Sequence, residues 1–519
     1  MDSNNKKSYL TSAAILAAGG IFAKVLGIFF KSPLNTIIGD YGLGLYGYPY
    51  PLYTTFLAIS IAGLPVAVSK MIAERVSIGN YRGAYKVFHV AFSAMLILGI
   101  VASGLMFLGA QFFIDAFNWP QDTYYSILTL SFAPFFVALI SAFRGFFQGM
   151  QSMSFSSGSQ IIEQIARVGI GLSLAVILTN SYGIAYGAAG ATFGATVGAI
   201  VAFLFLLISF LRFRKKQMNM IELQLEDTGE SNRRILKALV LLAIPIACGS
   251  LINTVMELIN SATLSTCLQN AGVSQKAATV LYAQLEQKAQ TLINVPLVIG
   301  SALASSLVPA ISESYIRGDK VKILQKTTLA IKIAFLVSIP SSVGLSVLSE
   351  PITSMVFLGK GDGYQMLTWL AYVVVFTIVM STLQGILQGS GRFYKPLKNM
   401  AFGALLKFLL NIALISRPEI GVYGAVASSI IASFVIFLLN YLDVKKYVGI
   451  GKIGADIAKI AVSSLVMGLI AKFGYDYLLR FMDYKIAVII MIVISVAVYF
   501  ALIYMTKAIT KTEIKEVRG

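Results

Sequence analysis

The chain has 519 residues, 57% of them from the AVILMFWYC set and only 12% charged, with 41 Lys and Arg against 23 Asp and Glu. Its mean hydropathy of +0.79 is far above that of soluble proteins, which are about half apolar and a quarter charged. An ordinary soluble fold is excluded, and because lipid offers no water to satisfy the backbone, the long apolar runs must be membrane-spanning helices.

In chain order, the first span covers about 9–33, after Lys6 and Lys7. It is too long for a signal-peptide core and no small-residue cleavage site follows, so it reads as a retained helix. Five more follow near 47–68, 87–114, 123–143, 157–179 and 187–211. After a polar stretch come 235–260, 281–311, 327–349, 365–388, 399–416 and 422–443, then 455–475 and 485–506. The expectation is an all-α integral membrane protein of about 14 transmembrane helices, with edges good to several residues. Its parts are a six-helix lobe (1–211), a cytoplasmic linker (212–234), a second six-helix lobe (235–446), and helices 13–14 with a tail (447–519).

Alternate connections hold most of the Lys and Arg, among them Lys70, Arg75, Arg82, Lys86, Arg212, Lys215, Arg317, Lys320, Lys445 and Lys446. The opposite connections hold only Lys276, Lys360, Arg417, Lys472, Arg480 and Lys485. The positive-inside rule therefore puts both termini in the cytoplasm of a multi-pass plasma-membrane protein. The +18 charge is accounted for by topology, without a nucleic-acid partner.

The two lobes repeat. Gly145, Gln148 and Gly149 of RGFFQG recur 240 residues on as Gly385, Gln388 and Gly389 of QGILQG, and Glu74 and Gly79 recur as Glu313 and Gly318. An even number of helices per repeat makes the lobes parallel, related by a pseudo-two-fold axis along the membrane normal, with a candidate site near the midplane.

Ionisable residues within spans normally face a cavity or a partner. Helix 1 carries Gly20, Lys24, Gly27 and Lys31 on one stripe, so both ammonium groups can reach a cavity and hold an anion. The alternative is that Lys31 snorkels to the interface and Lys24 pairs with a carboxylate. Helix 7 presents Ser250, Asn253, Glu257 and Asn260, and helix 8 Gln284, Glu286, Lys288, Thr291 and Asn294. These line a cavity or act as interhelical hydrogen-bond glue. On helix 5, Glu163 and Arg167 are spaced for an i, i+4 pair beside Gln160 and Gln164, and Lys407 stands 240 residues after Arg167.

The cluster Tyr41, Tyr46, Tyr48, Tyr50 and Tyr53 reads as an interfacial aromatic belt. Pro65 with Gly63, and Pro296 and Pro309 with Gly300, are candidate breaks in helices 2 and 8. His89, the single histidine, has no visible chemical partner, and Cys248 and Cys267 form no metal or disulfide pattern. No phosphate loop, HExxH or nucleophile arrangement is present, so no catalytic residue, metal or cofactor is expected.

Three stretches, GGIFAKVLGIFFKSPL, RGFFQGMQSMSFSSGSQIIEQIARVGIG and LQGSGRFYKPLKN, resemble the polysaccharide-biosynthesis flippases. Within these the chain is most similar to the stage V sporulation protein B (SpoVB) group and related MurJ-like lipid flippases. The resemblance implies the MOP (MATE-like) exporter fold. It also implies alternating access that moves an undecaprenyl-diphosphate-linked saccharide from the inner to the outer leaflet, with lipid II for peptidoglycan or spore cortex as the favoured cargo. Lys24, Val25, Leu26 and Gly27 match the family's Arg-Val-Leu-Gly motif with Lys in place of Arg. Lys31 and Lys288 fall near two further basic positions, and LYTTFLAISIAGLPV has no counterpart of the helix-2 arginine.

The expected substrate contacts are thus Lys24, Lys31, Lys288, Asn253 and Glu257, with Glu163, Arg167, Glu286 and Lys407 as cavity or ion-pair residues. Helices 13 and 14 match the extra pair of MurJ-like flippases. The expected partners are the lipid-linked saccharide, the bilayer and cell-wall synthesis enzymes. Membrane potential, worth about 2.3 kcal/mol per charge per 100 mV, or an ion would supply coupling. Alternatives are another lipid-linked glycan (capsule, teichoic or exopolysaccharide), a multidrug antiporter, a membrane enzyme, or a non-transporting scaffold.

Overall fold

The computed structural model describes residues 26–27, 29–222 and 230–509, apart from the side chains at 216–222, 245, 305, 309 and 310. Every regular element among the described residues is a helix. Among the described residues, twelve helical stretches are long and apolar enough to cross a membrane, or thirteen when the bent pair Asn232–Ile244 and Ile246–Asn270 counts as one span. The first expected span, 9–33, lies largely outside the described residues. The chain forms two compact units, Met1–Ser265 and Thr266–Gly519.

In the first unit, α1 (29–47) gives way at Tyr48 to α2 (Pro49–Ile61) and then, across Ala62 and Gly63, to α3 (Leu64–Ser77). Gly63 takes φ +82°, and Pro65 sits in the first turn of α3, so the expected break in helix 2 is present. There follow α4 (Tyr81–Leu108), α5 (Ala110–Phe117), α6 (Thr123–Leu130), α7 (Ala133–Gly149), α8 (Met153–Tyr182), α9 (Ile184–Glu222) and α10 (Asn232–Asn270). Helix α9 runs on through Arg212–Lys216 because that polar stretch holds good helix formers and no Gly or Pro. The linker expected at 212–234 is therefore helical over its first half. The core of this unit is aromatic: Phe88 packs against Phe146 at 5.1 Å and Phe210 at 4.6 Å between ring centroids.

The second unit continues with α11 (Gln275–Tyr282), a π-helical segment (Ala283–Ala289), α12 (Gln290–Ile316) and α13 (Lys320–Val347). Then come α14 (Ser349–Val356), α15 (Tyr364–Leu370), α16 (Tyr372–Gly389), α17 (Tyr394–Ile415), α18 (Tyr423–Tyr447), α19 (Gly454–Leu478) and α20 (Tyr484–Met505). Helix 8 differs from expectation: α12 is continuous through Pro296 and Pro309, and the irregularity lies earlier, in the π segment.

The internal repeat has a structural counterpart in each unit. At the ends of α3 and α12, Gly79 (φ +77°) and Gly318 (φ +67°) close the helix in the left-handed conformation. The next residue caps the following helix: Asn80 accepts from the Gly83 N–H at 2.6 Å, and Asp319 from the Lys322 N–H at 3.1 Å. That N–H holds the Asp319 carboxyl below the usual carboxylate range. The repeated glycines allow close helix approach. A Cβ at Gly145 would meet Pro65 O at 2.9 Å and one at Gly149 would meet Ile72 Cβ at 2.7 Å, both on α3. Gly385 and Gly389 likewise meet Ala304 O at 2.7 Å and Val308 O at 2.8 Å on α12.

Helices α19 and α20, which lie outside the repeat, pack on α13. Lys332, with its side chain 4% exposed, pairs with Asp456 at 2.9 Å, and the Tyr499 hydroxyl donates to Leu336 O at 2.8 Å. Lys332→Ala leaves Asp456 with only the exposed Lys459 at 4.0 Å, and should cost roughly 2 kcal/mol, less than a fully buried pair because Asp456 is partly exposed. Thermal unfolding in detergent checks this; an unchanged midpoint would mean that α19 is held by apolar packing alone.

Candidate functional site

The charged residues drawn together lie on α8. Small residues of α9 fix that helix: a Cβ at Gly198 would meet Glu163 O at 2.7 Å and Arg167 Cβ at 3.2 Å, and one at Gly194 would meet Arg167 O at 2.8 Å. Contact this close sets the Glu163–Arg167 face of α8 directly against the glycines of α9. Substituting Gly198 with Val should displace that face without altering any charge, lowering both thermal stability and transport; retention of both would show that α9 does not set its position.

Glu163 is the hub. Its Oε1 accepts from Arg167 Nη2 at 3.1 Å and its Oε2 from Arg144 Nη2 at 2.9 Å. Arg144 reaches over from α7 and also donates through Nε to Ser159 Oγ at 2.9 Å, and Ser159 donates in turn to Ser156 O at 2.7 Å. The side chains are 11% (Glu163), 18% (Arg144) and 21% (Arg167) exposed. Arg167 stands midway along the 30-residue α8, where an unbalanced charge is most costly. Two guanidinium groups against one carboxylate leave the triad with one net positive charge.

Across from this face are the tyrosines of α1 and α2. Tyr46, Tyr50 and Tyr53 are the phenols within electrostatic reach of Arg167, and Tyr46 packs on Tyr50 with ring centroids 4.8 Å apart. Three buried polar atoms here have no hydrogen-bond partner among the described residues: Arg167 Nε, Tyr50 Oη and Gln160 Oε1.

The tyrosine-rich segment is thus corrected from an interfacial belt to part of the unit's core. Tyr46, Tyr48 and Tyr53 are at most 6% exposed, and Tyr48 stacks on Trp119 at 5.2 Å. Only Tyr41 keeps a peripheral position, donating to Asp122 at 3.0 Å. The rings turn inward because the segment is the α1–α2 junction, with helix neighbours on its inner side.

The other sequence candidates are dispersed. Lys24 lies outside the described residues. Lys31 is half-buried on α1, one turn before the fully buried Asn35. On α10, Asn253 and Glu257 are exposed and Asn260 is buried, so the polar stripe does not face one environment. Lys288 and the half-buried Glu286 belong to the π segment. Lys288 is 1% exposed, donates to Lys360 O at 3.3 Å and lies 5.6 Å from the Phe357 ring centroid, so it ties the π segment to the loop after α14. Lys407 is buried in α17. Glu163 and Arg167 are joined by a direct bond, and nothing local in the sequence marks Arg144, which completes the pair, because its contact is between successive helices.

Beside the Gly63 break, a largely apolar groove of about 380 Å³ is lined by Thr54, Leu57, Ala62, Ser141, Ser250 and Thr254, among others. Among the described residues no group of three or more His, Cys, Asp or Glu is placed to hold a metal ion.

Comparison with known proteins gives this architecture a family. Residues 9–315 match the family described as "Polysaccharide biosynthesis protein". The chain belongs to that family. Similar proteins of Bacillus subtilis (strain 168) include Lipid II flippase MurJ, 26% identical over 511 residues with 94% of this chain and 93% of that protein covered, and Stage V sporulation protein B, 25% identical over 513 residues with 99% and 98% covered. Among solved structures, Lipid II flippase MurJ in an inward closed conformation matches with a TM-score of 0.66 at 17% identity, covering 95% of this chain and 99% of that one. An inward-facing multidrug resistance MATE family transporter also matches at 0.66 with 20% identity, covering 82% and 95%. At these identities the structural likenesses establish the fold, which the chain shares with these two transporter structures. This family member is a multi-pass membrane protein of all-helical MurJ/MATE architecture.

Proposed function

We propose that the chain is a flippase for a lipid-linked saccharide precursor, carrying it from the inner to the outer leaflet by alternating access, with lipid II as cargo and both termini cytoplasmic. The observation that carries the reading is the charge of the membrane-embedded polar cluster. Arg144 and Arg167 outnumber Glu163, which suits an anionic diphosphate headgroup and not a cationic drug. End-to-end similarity to Lipid II flippase MurJ and Stage V sporulation protein B supports the same choice. An inside-negative membrane potential drives an anion outward, by about 2.3 kcal/mol per charge per 100 mV over the full field, so transport can run without nucleotide hydrolysis.

The deciding experiment expresses the chain in cells depleted of their own lipid II flippases and measures lipid II accessible at the outer leaflet. Restored accessibility is the expected result. Well-inserted protein that restores nothing, yet raises resistance to cationic dyes, would replace this reading with the antiporter. Lys24→Ala alongside tests the helix-1 cation: loss of flipping at normal protein abundance would place Lys24 on the cargo path, and wild-type flipping would remove it.

A further inference from the structure

We infer that the first unit holds an oxyanion site built on Arg167 and Tyr50 and guarded by Glu163 as an internal competitor. The inference rests on the flippase reading for the identity of the oxyanion, though not for the site's existence. Arg167 spends one terminal nitrogen on Glu163, while its Nε–H edge is buried and unpartnered. The Tyr50 hydroxyl, also buried and without a hydrogen bond of good geometry, stands beside Tyr46 and within electrostatic reach of the same guanidinium. Two orphan donors at a net positive cluster recognise a phosphate or diphosphate oxygen. Burial does not seal the site, since a fifth of the Arg167 side chain remains accessible.

Glu163 gives the site its switching property. An arriving phosphate oxygen takes the Nε edge of Arg167 and competes with the carboxylate for the guanidinium. Arg144 and Ser159 keep Glu163 and Arg144 in register while the Arg167 bond is exchanged. A bound oxyanion is therefore coupled to the contact between α8 and α7.

The test uses full-length protein in nanodiscs, with undecaprenyl diphosphate and inorganic pyrophosphate as separate probes, read by ligand-induced thermal shift and by titration. Arg167→Lys keeps a charge for Glu163 but removes the Nε–H edge. It should weaken binding at least about tenfold with little change in the unliganded melting temperature. Tyr50→Phe should weaken it about threefold. Glu163→Gln removes the competitor, so it should tighten binding and give a larger ligand-induced shift than wild type, which a merely structural carboxylate would not do.

Binding of both probes with these responses supports the site and its lipid source. Binding of pyrophosphate alone supports the site but identifies its occupant as a free oxyanion. Wild-type affinity in both Arg167→Lys and Tyr50→Phe, or no binding of either probe, overturns the inference. The flippase reading would survive that result if outer-leaflet lipid II were still restored, so the two fail separately.

Discussion

Glu163→Ala is expected to destabilise the protein by about 3–5 kcal/mol, the cost of breaking a buried ion pair and leaving charge uncompensated. The reason is arithmetic at the α7–α8 contact. One carboxylate serves Arg144 at 2.9 Å and Arg167 at 3.1 Å, so its removal leaves two guanidinium groups facing each other inside a span. Thermal unfolding in detergent, followed by size-exclusion monodispersity, is the measurement. The triad should also be non-additive: Arg144→Met combined with Glu163→Ala is expected to cost clearly less than the two single losses summed. A strictly additive result would mean that the three residues do not act as one unit. A Glu163→Ala protein as stable as wild type would show that water already screens the cluster.

The second large effect is expected at Gly63. Its left-handed φ of +82° penalises any side chain by roughly 1–2 kcal/mol. A Cβ there would also come within 2.4 Å of Ala243 O and 3.0 Å of Ile246 Cβ, on either side of the bend in α10. Overpacking against backbone adds about 1–3 kcal/mol, because the carbonyl can retreat only by moving the helix. Gly79→Ala is the control, with φ +77° and nothing within 4 Å of the added atom. Gly63→Ala should therefore lose markedly more stability than Gly79→Ala. Equal losses would show that the contact with α10 yields at no cost.

Local signals in the sequence carried much of this architecture. Apolar runs located the spans, and the punctuation at Gly79–Asn80 and Gly318–Asp319 is a helix stop followed by a cap, a signal contained in two residues. The pair Glu163–Arg167 was legible because i, i+4 geometry is set within one helix. Arg144 was not, since its bond to Glu163 depends on how α7 meets α8. The tyrosines were misplaced for a related reason. Aromatic enrichment near a span end signals an interface only when the segment faces lipid, and burial of Tyr46, Tyr48 and Tyr53 follows from tertiary neighbours. The π segment carries no sequence mark, because a shift from i→i+4 to i→i+5 bonding needs neither Gly nor Pro. Lys288 was consequently read on a regular helix, whereas its ammonium is turned onto the carbonyl of Lys360.

Helix α10 opens the second repeat by sequence but completes the first unit by packing. Trp119, buried at the end of α5, donates its indole N–H to Ser261 O at 2.8 Å; Ser265 Oγ donates to Asn118 O at 2.8 Å, and Ser261 Oγ to Tyr48 O at 3.2 Å. During synthesis, then, the amino-terminal half cannot finish folding when its sixth span emerges. It waits on a helix made after the polar 223–231 stretch, whose residues 261–265 bring these bonds to Asn118, Tyr48 and Trp119. A chain stopped at residue 234 would expose that unfinished surface to quality-control proteases, and one stopped at 270 would not.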